Sequence, residues 1–214
     1  MKGYRIKLIR HGMTDANLNG VYIGKTDLPL CSQGVNELYD KIAEYEYGGA
    51  QRVYTSPYKR CTQTAGILFP EVGAVAVQGL REMDMGDFEG KKAEDIMNTP
   101  EYKQFLKGGL DNPPPNGESI REVVTRSLEA LNFIIGDMMS EGLTNCAVIT
   151  HGGIIMNMLS CFGLPKLSPM EFPCDFGEGY EVLVTASMWQ RSGCFEIMGR
   201  FPYGDSEEYE NDKL

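Results

Sequence analysis

Histidine is scarce in this chain: only His11 and His151 occur among 214 residues. Both end a hydrophobic, strand-like run at a glycine, in Leu8-Ile9-Arg10-His11-Gly12 and in Val148-Ile149-Thr150-His151-Gly152-Gly153. Either histidine alone could be a hydrogen-bonded turn residue. The same placement at two separate sites is hard to explain by packing, so both are candidate functional residues.

Positive charge is also scarce. The chain has 20 Lys and Arg against 30 Asp and Glu, a formal net charge of −10, and a pI near 4.8. No run of Lys or Arg supplies the positive field that nucleic acid or an anionic membrane surface requires. We therefore expect neither as a partner, whereas a small anion could still bind where a few arginines converge.

Two further patterns are missing. The six cysteines, at positions 31, 61, 146, 161, 174 and 194, form no Cys-x-x-Cys pair and no metal-ligand cluster. Their spacing leaves a disulfide or a reactive thiol open, but reduced cysteines packed as small hydrophobes are the simpler prediction. No apolar run reaches the ~18 residues of a spanning helix, and the N-terminus leads directly into a strand, so we expect a cytoplasmic protein.

The order of elements predicts an α/β fold. Strands are predicted over 4–10, 52–55, 74–77, 146–150, 182–186 and 194–198, and helices over 33–45, from Pro57 onward, 118–139 and 154–162. Ser32 and Ser56 are the predicted N-caps of the first two helices. The expected architecture is a three-layer sandwich, with a mostly parallel central sheet and helices on both faces.

The length favours one domain over residues 1–203. A small inserted cap is predicted at about 83–115, where helical signals are mixed and Pro113-Pro114-Pro115 interrupts the chain. Residues 204–214 are acidic and are predicted to be disordered. Four aromatic residues of the pocket region could line a substrate site or form a small core of the cap: Tyr22, Phe88, Tyr102 and Phe105.

The polar residues at the predicted strand ends suit phosphoryl transfer. Arg10 and Arg60 can each offer a planar fork to phosphate oxygens, and a neutral His11 can attack phosphorus. Helix N–H groups near Pro57 should favour an anion at the same place. Glu82 follows the third strand and is the candidate proton donor to the departing alkoxide, with Glu89 and Asp84 as alternatives.

Five blocks of the sequence, in order, resemble the histidine phosphatase superfamily, which is also called phosphoglycerate mutase-like. They are Leu8-Ile9-Arg10-His11-Gly12 with Thr14 and Asn17; Gly24 to Leu30 with Gly34; Tyr54-Thr55-Ser56-Pro57 with Arg60, Gln63, Thr64 and Ala65; Leu80-Arg81-Glu82 with Gly86 and Gly90; and Asn116-Gly117-Glu118-Ser119 followed by Val148 to Gly153. The resemblance covers roughly residues 4–160.

The resemblance implies His11 as the phosphorylated nucleophile and Glu82 as proton donor and later as base for water. It implies a phosphate pocket and no metal or organic cofactor. The predicted site consists of catalytic His11, Glu82 and His151 and of phosphate-binding Arg10, Asn17, Arg60 and Gly152.

Departures from the mutase pattern bear on the reaction. Met13 stands where mutases typically carry an acidic residue, Met83-Asp84-Met85 replaces their Arg-His-Tyr run, and Gly152-Gly153 replaces Gly-Asn. A mutase must hold a second anionic group, and Lys91 and Lys92 are the only nearby compensation. We therefore expect a phosphomonoesterase that acts on a small phosphorylated metabolite.

The alternatives are a cofactor-dependent phosphoglycerate mutase, an alpha-ribazole phosphatase as a specific phosphatase role, and a binding protein without chemistry. The sequence leaves the substrate and the oligomeric state open.

Overall fold

The computed structural model describes residues 2–203, so the tail predicted to be disordered over 204–214 lies outside the described residues. Seven strands form one sheet in the order β3-β2-β4-β1-β6-β7-β5. The strands are β1 (Gly3–Arg10), β2 (Arg52–Thr55), β3 (Ala74–Ala76), β4 (Asn145–Thr150), β5 (Gly163–Leu164), β6 (Gly179–Thr185) and β7 (Phe195–Phe201).

Within residues 2–203, eight α-helices connect and cover the strands. They are α1 (Asp15–Leu18), α2 (Ser32–Glu44), α3 (Lys59–Leu68), α4 (Ala93–Ile96), α5 (Pro100–Leu106), α6 (Ile120–Ser140), α7 (Gly152–Phe162) and α8 (Ala186–Ser192). Short 3-10 helices occur at Gln78–Leu80, Gly86–Phe88 and Pro169–Glu171. No helix between residues 2 and 203 combines the length and the apolar character that a membrane crossing requires.

Strand β1 lies at the centre of the sheet. It pairs in parallel with β4 on one side and antiparallel with β6 on the other. The β2–β4, β2–β3 and β5–β7 pairs are also parallel. The antiparallel strand pairs of the described sheet are β1–β6 and β6–β7, and both involve β6. The predicted α/β class with a mostly parallel sheet is therefore confirmed.

Alternation along β1 divides the core between the two faces of the sheet, because successive side chains of a strand point in opposite directions. Ile6 and Leu8 pack with the apolar side of α6 and α7. Ile9 packs on the opposite face with Leu38 of α2 and Ala65 of α3. Helices thus cover both faces, which gives the three layers that the sequence predicts.

Helix α6 shows how closely a periodic segment can be predicted. Its predicted range of 118–139 compares with Ile120–Ser140 in the structure. Ser119 caps the helix: its hydroxyl accepts from the Glu122 N–H, and the Glu122 carboxylate accepts from the Ser119 N–H at 2.8 Å. This reciprocal pair satisfies two N–H groups that the first turn would otherwise leave unpaired.

Two predicted N-caps are wrong. Helix α3 begins at Lys59 after Tyr58, rather than at Pro57 after Ser56, and α2 is capped by Cys31, whose sulfur accepts from the Gly34 N–H. Ser56 is buried instead among the site residues described below. Helix α8, between the last two long strands, was also missed. The six cysteines are all free, as predicted.

The segment predicted as a cap, 83–115, contains Gly86–Phe88, α4 and α5 and no strand. Phe88 packs edge-on against Tyr102 and Phe105, and these two rings are tilted against each other, with ring centroids 5.5–6.3 Å apart in all three pairs. Tyr22 joins this cluster through a 2.6 Å hydrogen bond between its hydroxyl and that of Tyr102. The division into one domain with an inserted cap stays a prediction.

Candidate active site

The two histidines meet at the carboxyl edge of the sheet. Arg10, the last residue of β1, lies directly opposite Thr150, the last residue of the parallel strand β4. The residues that follow, His11 and His151, therefore leave the sheet side by side. The His11 N–H donates to the Thr150 carbonyl at 2.9 Å, and the ring centroids of His11 and His151 are 5.1 Å apart. This edge is where open α/β sheets bind ligands.

His11 is held as a neutral imidazole. It is buried, and its Nδ1 lies 2.6 Å from the carbonyl oxygen of Gly12, which can only accept a hydrogen bond. Nδ1 therefore carries the proton and Nε2 keeps its lone pair. Burial and, next, the charge of Arg60 lower the pKa of His11 to about 3. A ring with a free Nε2 lone pair is what nucleophilic attack requires.

Arg60 is fixed by a loop on the far side of the pocket. Its Nη2 donates to the Gly24 carbonyl and its Nη1 to the Thr26 carbonyl, both at 2.9 Å. The loop is held in turn by Glu89, whose carboxylate accepts from the Gly24 and Lys25 N–H groups at 2.7 Å. The guanidinium is therefore positioned in advance, which lowers the cost of ordering it around a phosphate.

Arg10 reaches the same pocket from the opposite side. Its Nη1 donates to the Cys174 carbonyl at 2.7 Å, and its guanidinium lies 3.9 Å from the centre of the Phe176 ring. Its Nε is buried and has no partner in the described structure. A Cβ at Gly152 would lie 3.2 Å from this Nε, so glycine lets the start of α7 approach the guanidinium closely. An unpaired buried N–H beside the pocket is suited to an anion.

A cavity of about 190 Å³ collects the predicted residues. Six of the seven line it: Arg10, His11, Asn17, Arg60, Glu82 and Gly152. Thr14, Tyr22 and Gly153 complete the walls that matter for the chemistry. Of the four aromatics left open by the sequence, only Tyr22 lines this cavity, and the other three belong to the small core of the cap segment.

His151, the seventh predicted residue, lies behind the cavity rather than in its wall. It is fully buried, and both ring nitrogens have protein partners: the Arg60 Nε donates to Nδ1 at 3.3 Å, and Nε2 lies 2.9 Å from the Ser56 hydroxyl. Burial lowers the pKa of His151 well below its usual value, followed by the electrostatic effects of the neighbouring His11 ring and of Arg60. The structure thus places a neutral His151 against His11 and Arg60.

Glu82 is the carboxyl group that faces the cavity. Its Oε1 accepts from the Met83 N–H at 2.9 Å, and burial raises the pKa of Glu82 against the opposing effect of this hydrogen bond and of nearby arginines. The two alternative acids are engaged elsewhere: Glu89 holds the 24–26 loop, and Asp84 pairs with Lys25 at 2.8 Å. A partly buried carboxyl with a raised pKa is suited to donate a proton.

A larger cavity of about 390 Å³ borders Glu82 on its other side. Its polar lining includes Lys25, Tyr58, Arg81, Asp84, Asn116, Glu118 and Glu122. Because the leaving oxygen must lie next to the acid that protonates it, this second space is open to the alcohol part of a bound phosphoester.

The sequence assigned no role to Thr14 or Thr64, although both lie at the site. Thr14 caps α1 together with Asn17, whose Oδ1 accepts from the Thr14 N–H at 3.0 Å and from its hydroxyl at 2.8 Å. The Nδ2 of Asn17, with its two N–H groups, has no hydrogen-bond partner within residues 2–203 and is left for a ligand. The Thr64 hydroxyl accepts from the Gly12 N–H at 2.9 Å and donates to the Arg60 carbonyl at 2.6 Å. The family blocks contain these residues, but only the fold shows what they hold.

The helix N-terminus at the pocket is also not the one predicted. The first N–H of α3, that of Lys59, donates to the Asp27 carboxylate at 2.6 Å. The start of α7 contributes Gly152 and Gly153 to the cavity instead. Free N–H groups at the start of an 11-residue helix favour an anion.

Within residues 2–203 no group of three His, Cys, Asp or Glu side chains is arranged to hold a metal ion. The positive groups that face the cavity are the guanidiniums of Arg10 and Arg60. Two guanidiniums, a helix N-terminus and an imidazole with a free lone pair can bind a phosphoryl group and accept it.

Comparisons with known proteins agree with this geometry. A 2,3-bisphosphoglycerate-dependent phosphoglycerate mutase of Xanthobacter autotrophicus is 30% identical over 171 residues, which span 76% of this chain and 81% of that enzyme. The adenosylcobalamin/alpha-ribazole phosphatase of Escherichia coli is 25% identical over 178 residues, or 81% of this chain and 86% of that enzyme. Relatives of both activities are therefore similar to this chain.

The crystal structure of the alpha-ribazole phosphatase from Shigella flexneri shares the fold, with a TM-score of 0.73 at 23% identity over 85% of this chain and 91% of that chain. The family profile that matches the chain, over residues 6–190, is that of the histidine phosphatase superfamily (branch 1). The chain thus belongs to branch 1 of the histidine phosphatase superfamily, whose members act on small phosphorylated metabolites.

Proposed function

We propose that this protein is a phosphomonoesterase that hydrolyses a small phosphorylated metabolite through a phosphohistidine on His11. The observation that carries the proposal is the pocket in which a neutral His11, with its Nε2 lone pair free, lies among Arg10, Arg60 and a carboxyl group with a raised pKa, Glu82. Each of these groups corresponds to one requirement of stepwise phosphoryl transfer.

In the first step, Nε2 of His11 attacks phosphorus while the bond from phosphorus to the alcohol oxygen breaks. Arg10 and Arg60 stabilise the charge spread over the phosphoryl oxygens. Glu82 gives its proton to the departing alkoxide, so the alcohol leaves neutral and Glu82 becomes a carboxylate. The product is phosphohistidine, with the Nδ1 proton still directed at the Gly12 carbonyl.

In the second step, water attacks phosphorus and the bond to Nε2 breaks. The Glu82 carboxylate takes the proton from that water, which restores its protonated form, and His11 returns to its neutral state. Inorganic phosphate then leaves the pocket. His151 is proposed to keep Arg60 and His11 in place during both steps, through its contacts to Arg60 and Ser56.

The walls next to Glu82 favour water over a second phosphorylated acceptor. In the second cavity Lys25 is already paired with Asp84, and Glu118 and Glu122 face the same space. Met83, in the position where mutases carry an arginine, is buried in the core. A phosphoglycerate would have to place its carboxylate in a space where Asp84, Glu118 and Glu122 outnumber Lys25 and Arg81, which like-charge repulsion disfavours.

The substrate class follows from the same walls. The second cavity is polar and its described acidic groups outnumber its cations, so it suits a neutral or positively charged alcohol better than an anionic one. A nucleoside-like phosphate stays one candidate within that class because Tyr58 offers an aromatic wall in the second cavity, and one similar enzyme is named an alpha-ribazole phosphatase.

The test is to incubate the protein with a panel of phosphorylated metabolites and to measure inorganic phosphate, and in parallel to measure interconversion of 3- and 2-phosphoglycerate primed with the bisphosphate. We expect net phosphate release and negligible interconversion. His11→Ala should abolish turnover, and Lys59→Ala, on the exposed side of the neighbouring helix, is the matched control.

Robust interconversion with little phosphate release would restore the mutase. A folded His11→Ala protein with more than a few per cent of wild-type turnover would exclude the phosphohistidine route. Absence of turnover on the whole panel, with phosphate still bound, would favour the binding protein.

A further inference from the structure

Arg126, on α6, donates hydrogen bonds from its guanidinium to the segment that carries Glu82 and to Glu118. Nη1 donates to the carbonyls of Gly79 at 2.8 Å and Arg81 at 2.6 Å, and Nη2 donates to the Glu82 carbonyl at 3.2 Å. Nε and Nη2 also donate to the two carboxylate oxygens of Glu118, at 2.7 and 2.8 Å. A guanidinium has five N–H donors, so all five are in use.

Glu118 makes hydrogen bonds to the C-terminal end of the same segment, at Asp84. Its backbone N–H donates to the Asp84 carbonyl at 2.9 Å, and its Oε2 accepts from the Asp84 N–H at 3.3 Å. The two side chains are mostly buried, with 12% of Arg126 and 16% of Glu118 exposed. The backbone is therefore held directly before Glu82, at Glu82 and two residues after it.

The segment has little regular structure of its own. Gln78–Leu80 is a single 3-10 turn, and no helix or strand covers 81–85. A loop carboxyl is less precisely placed than one on a helix or strand unless other groups fix its backbone. Misplacement by about 1 Å can cost a reaction on the order of a hundredfold.

We propose that Arg126, held by Glu118, is a positioning residue that fixes the backbone of Glu82 so that its carboxyl meets the leaving oxygen. This role rests on the proposed function, because it acts only through proton donation by Glu82. Neither residue lines the cavity around His11, so binding of the phosphoryl group itself does not depend on them.

The same arginine also acts on the charge of the site. Its positive charge opposes the effect of burial on Glu82 and so lowers the pKa of that carboxyl. Loss of the arginine would therefore leave Glu82 both less well placed and a weaker acid. Both effects act on proton donation and not on nucleophilic attack.

The experiment compares turnover of an alkyl phosphate with that of an activated aryl phosphate, whose leaving group hardly needs a proton. Arg126→Lys keeps the charge but cannot reach Glu118 and three carbonyls together. We expect it to lower kcat for the alkyl phosphate by about tenfold and for the aryl phosphate by less than about threefold, which is the pattern of lost general acid catalysis. Glu82→Gln should show the same pattern more strongly.

Two further variants separate positioning from general damage. Glu118→Gln keeps the size of its side chain and should give the same selectivity as Arg126→Lys, even if the arginine variant fails to fold. Arg121→Lys lies on the same helix, where Arg121 is exposed and paired with Asp111, and should change neither rate. The double variant of Glu82→Gln with Arg126→Lys should be no slower on the alkyl phosphate than Glu82→Gln alone, because both act on one group.

The outcomes separate the positioning role of Arg126 and Glu118 from the proposed phosphatase activity. If Glu82→Gln slows only the alkyl phosphate, whereas Arg126→Lys and Glu118→Gln slow both substrates equally or neither, the positioning role is overturned and the phosphatase proposal stands. If Glu82→Gln slows both substrates equally, the acid is another residue and the positioning role fails with it. Selective loss in all three variants supports the proposal.

Discussion

A buried neutral histidine should make the stability of this protein depend on pH in a way that one substitution can reveal. His11 has a pKa of about 3 in the fold, against a usual value of 6.5. The unfolded chain therefore binds a proton at His11 before the folded chain does as the pH falls. Stability that is fully present above the usual pKa is lost progressively as the pH falls from about 6.5 toward 3.

The size of the effect follows from linkage. Between about pH 7.5 and pH 5, the unfolded histidine becomes almost fully protonated, whereas the folded one stays neutral. The difference in bound protons integrates to about 2 kcal/mol of lost unfolding free energy from His11 alone. His151, whose pKa is also lowered by burial, acts in the same direction. The wild type should therefore lose more than His11 contributes.

The measurement is urea unfolding of wild type and of His11→Gln at both pH values, followed by the fluorescence of the single tryptophan, Trp189. Trp189 donates its indole N–H to Asn132 and packs near Phe162, so unfolding changes its environment. Buffers must contain no phosphate or sulfate, because an anion bound to the folded pocket would itself add stability. The difference between the two pH values matters here, and the absolute stability of the variant does not.

We expect the stability difference between the two pH values to be smaller in His11→Gln than in wild type by about 2 kcal/mol. Equal pH dependence in the two proteins would refute the reasoning. It would mean that His11 binds a proton in the fold as readily as in the unfolded chain, so burial would not hold the ring neutral below about pH 6.5.

The remaining predictions concern the pocket and its supports. Activity should survive a chelator unchanged, because Arg10 and Arg60 supply the positive charge; loss that Mg²⁺ restores would contradict this. Ser56→Ala should leave the buried Nε2–H of His151 with only the weakly accepting sulfur of Cys61, 3.7 Å away, and lower kcat/KM about tenfold in a protein that still folds; unchanged kinetics would remove Ser56 from the site. In Gly24→Ala the new Cβ would lie 1.9 Å from the Met83 carbonyl oxygen, so we expect a lower Tm and a higher KM. The control is Gly66→Ala, on an open helix surface, which should stabilise the fold by about 0.5–1 kcal/mol.

Local patterns predicted the elements that depend on local interactions. The long apolar face of α6 and its Ser119 cap lie close together in the sequence, and the predicted helix agrees with the observed one to within two residues at its start and one at its end. The run 146–150 before Gly152 likewise predicted β4. Glycine, hydrophobic periodicity and capping act over a few residues, and a sequence displays them directly.

Partners that meet only in three dimensions could not be predicted. Ser56 before Pro57 has the local pattern of a helix start, but a contact with His151, 95 residues away, uses its hydroxyl instead. Arg126 has no local feature that distinguishes it from other helix arginines, although Glu118 lies in a family block. The ends of parallel strands meet at one edge, which predicted that His11, Arg60 and His151 come together, and the family resemblance added Asn17 and Gly152; the hydrogen-bond partners of these residues were not predicted.

The hydroxyl pair of Tyr22 and Tyr102 has a practical consequence for changing what this protein accepts. Tyr22 forms part of the pocket wall, whereas Tyr102 lies on α5 and does not touch the cavity around His11. A library at position 102 and its neighbours on α5 would change the support of that wall and leave the guanidiniums of Arg10 and Arg60 and the imidazole of His11 in place. Helix α5 could therefore be exchanged or randomised to change substrate selectivity, while the residues around His11 stay the same in every variant.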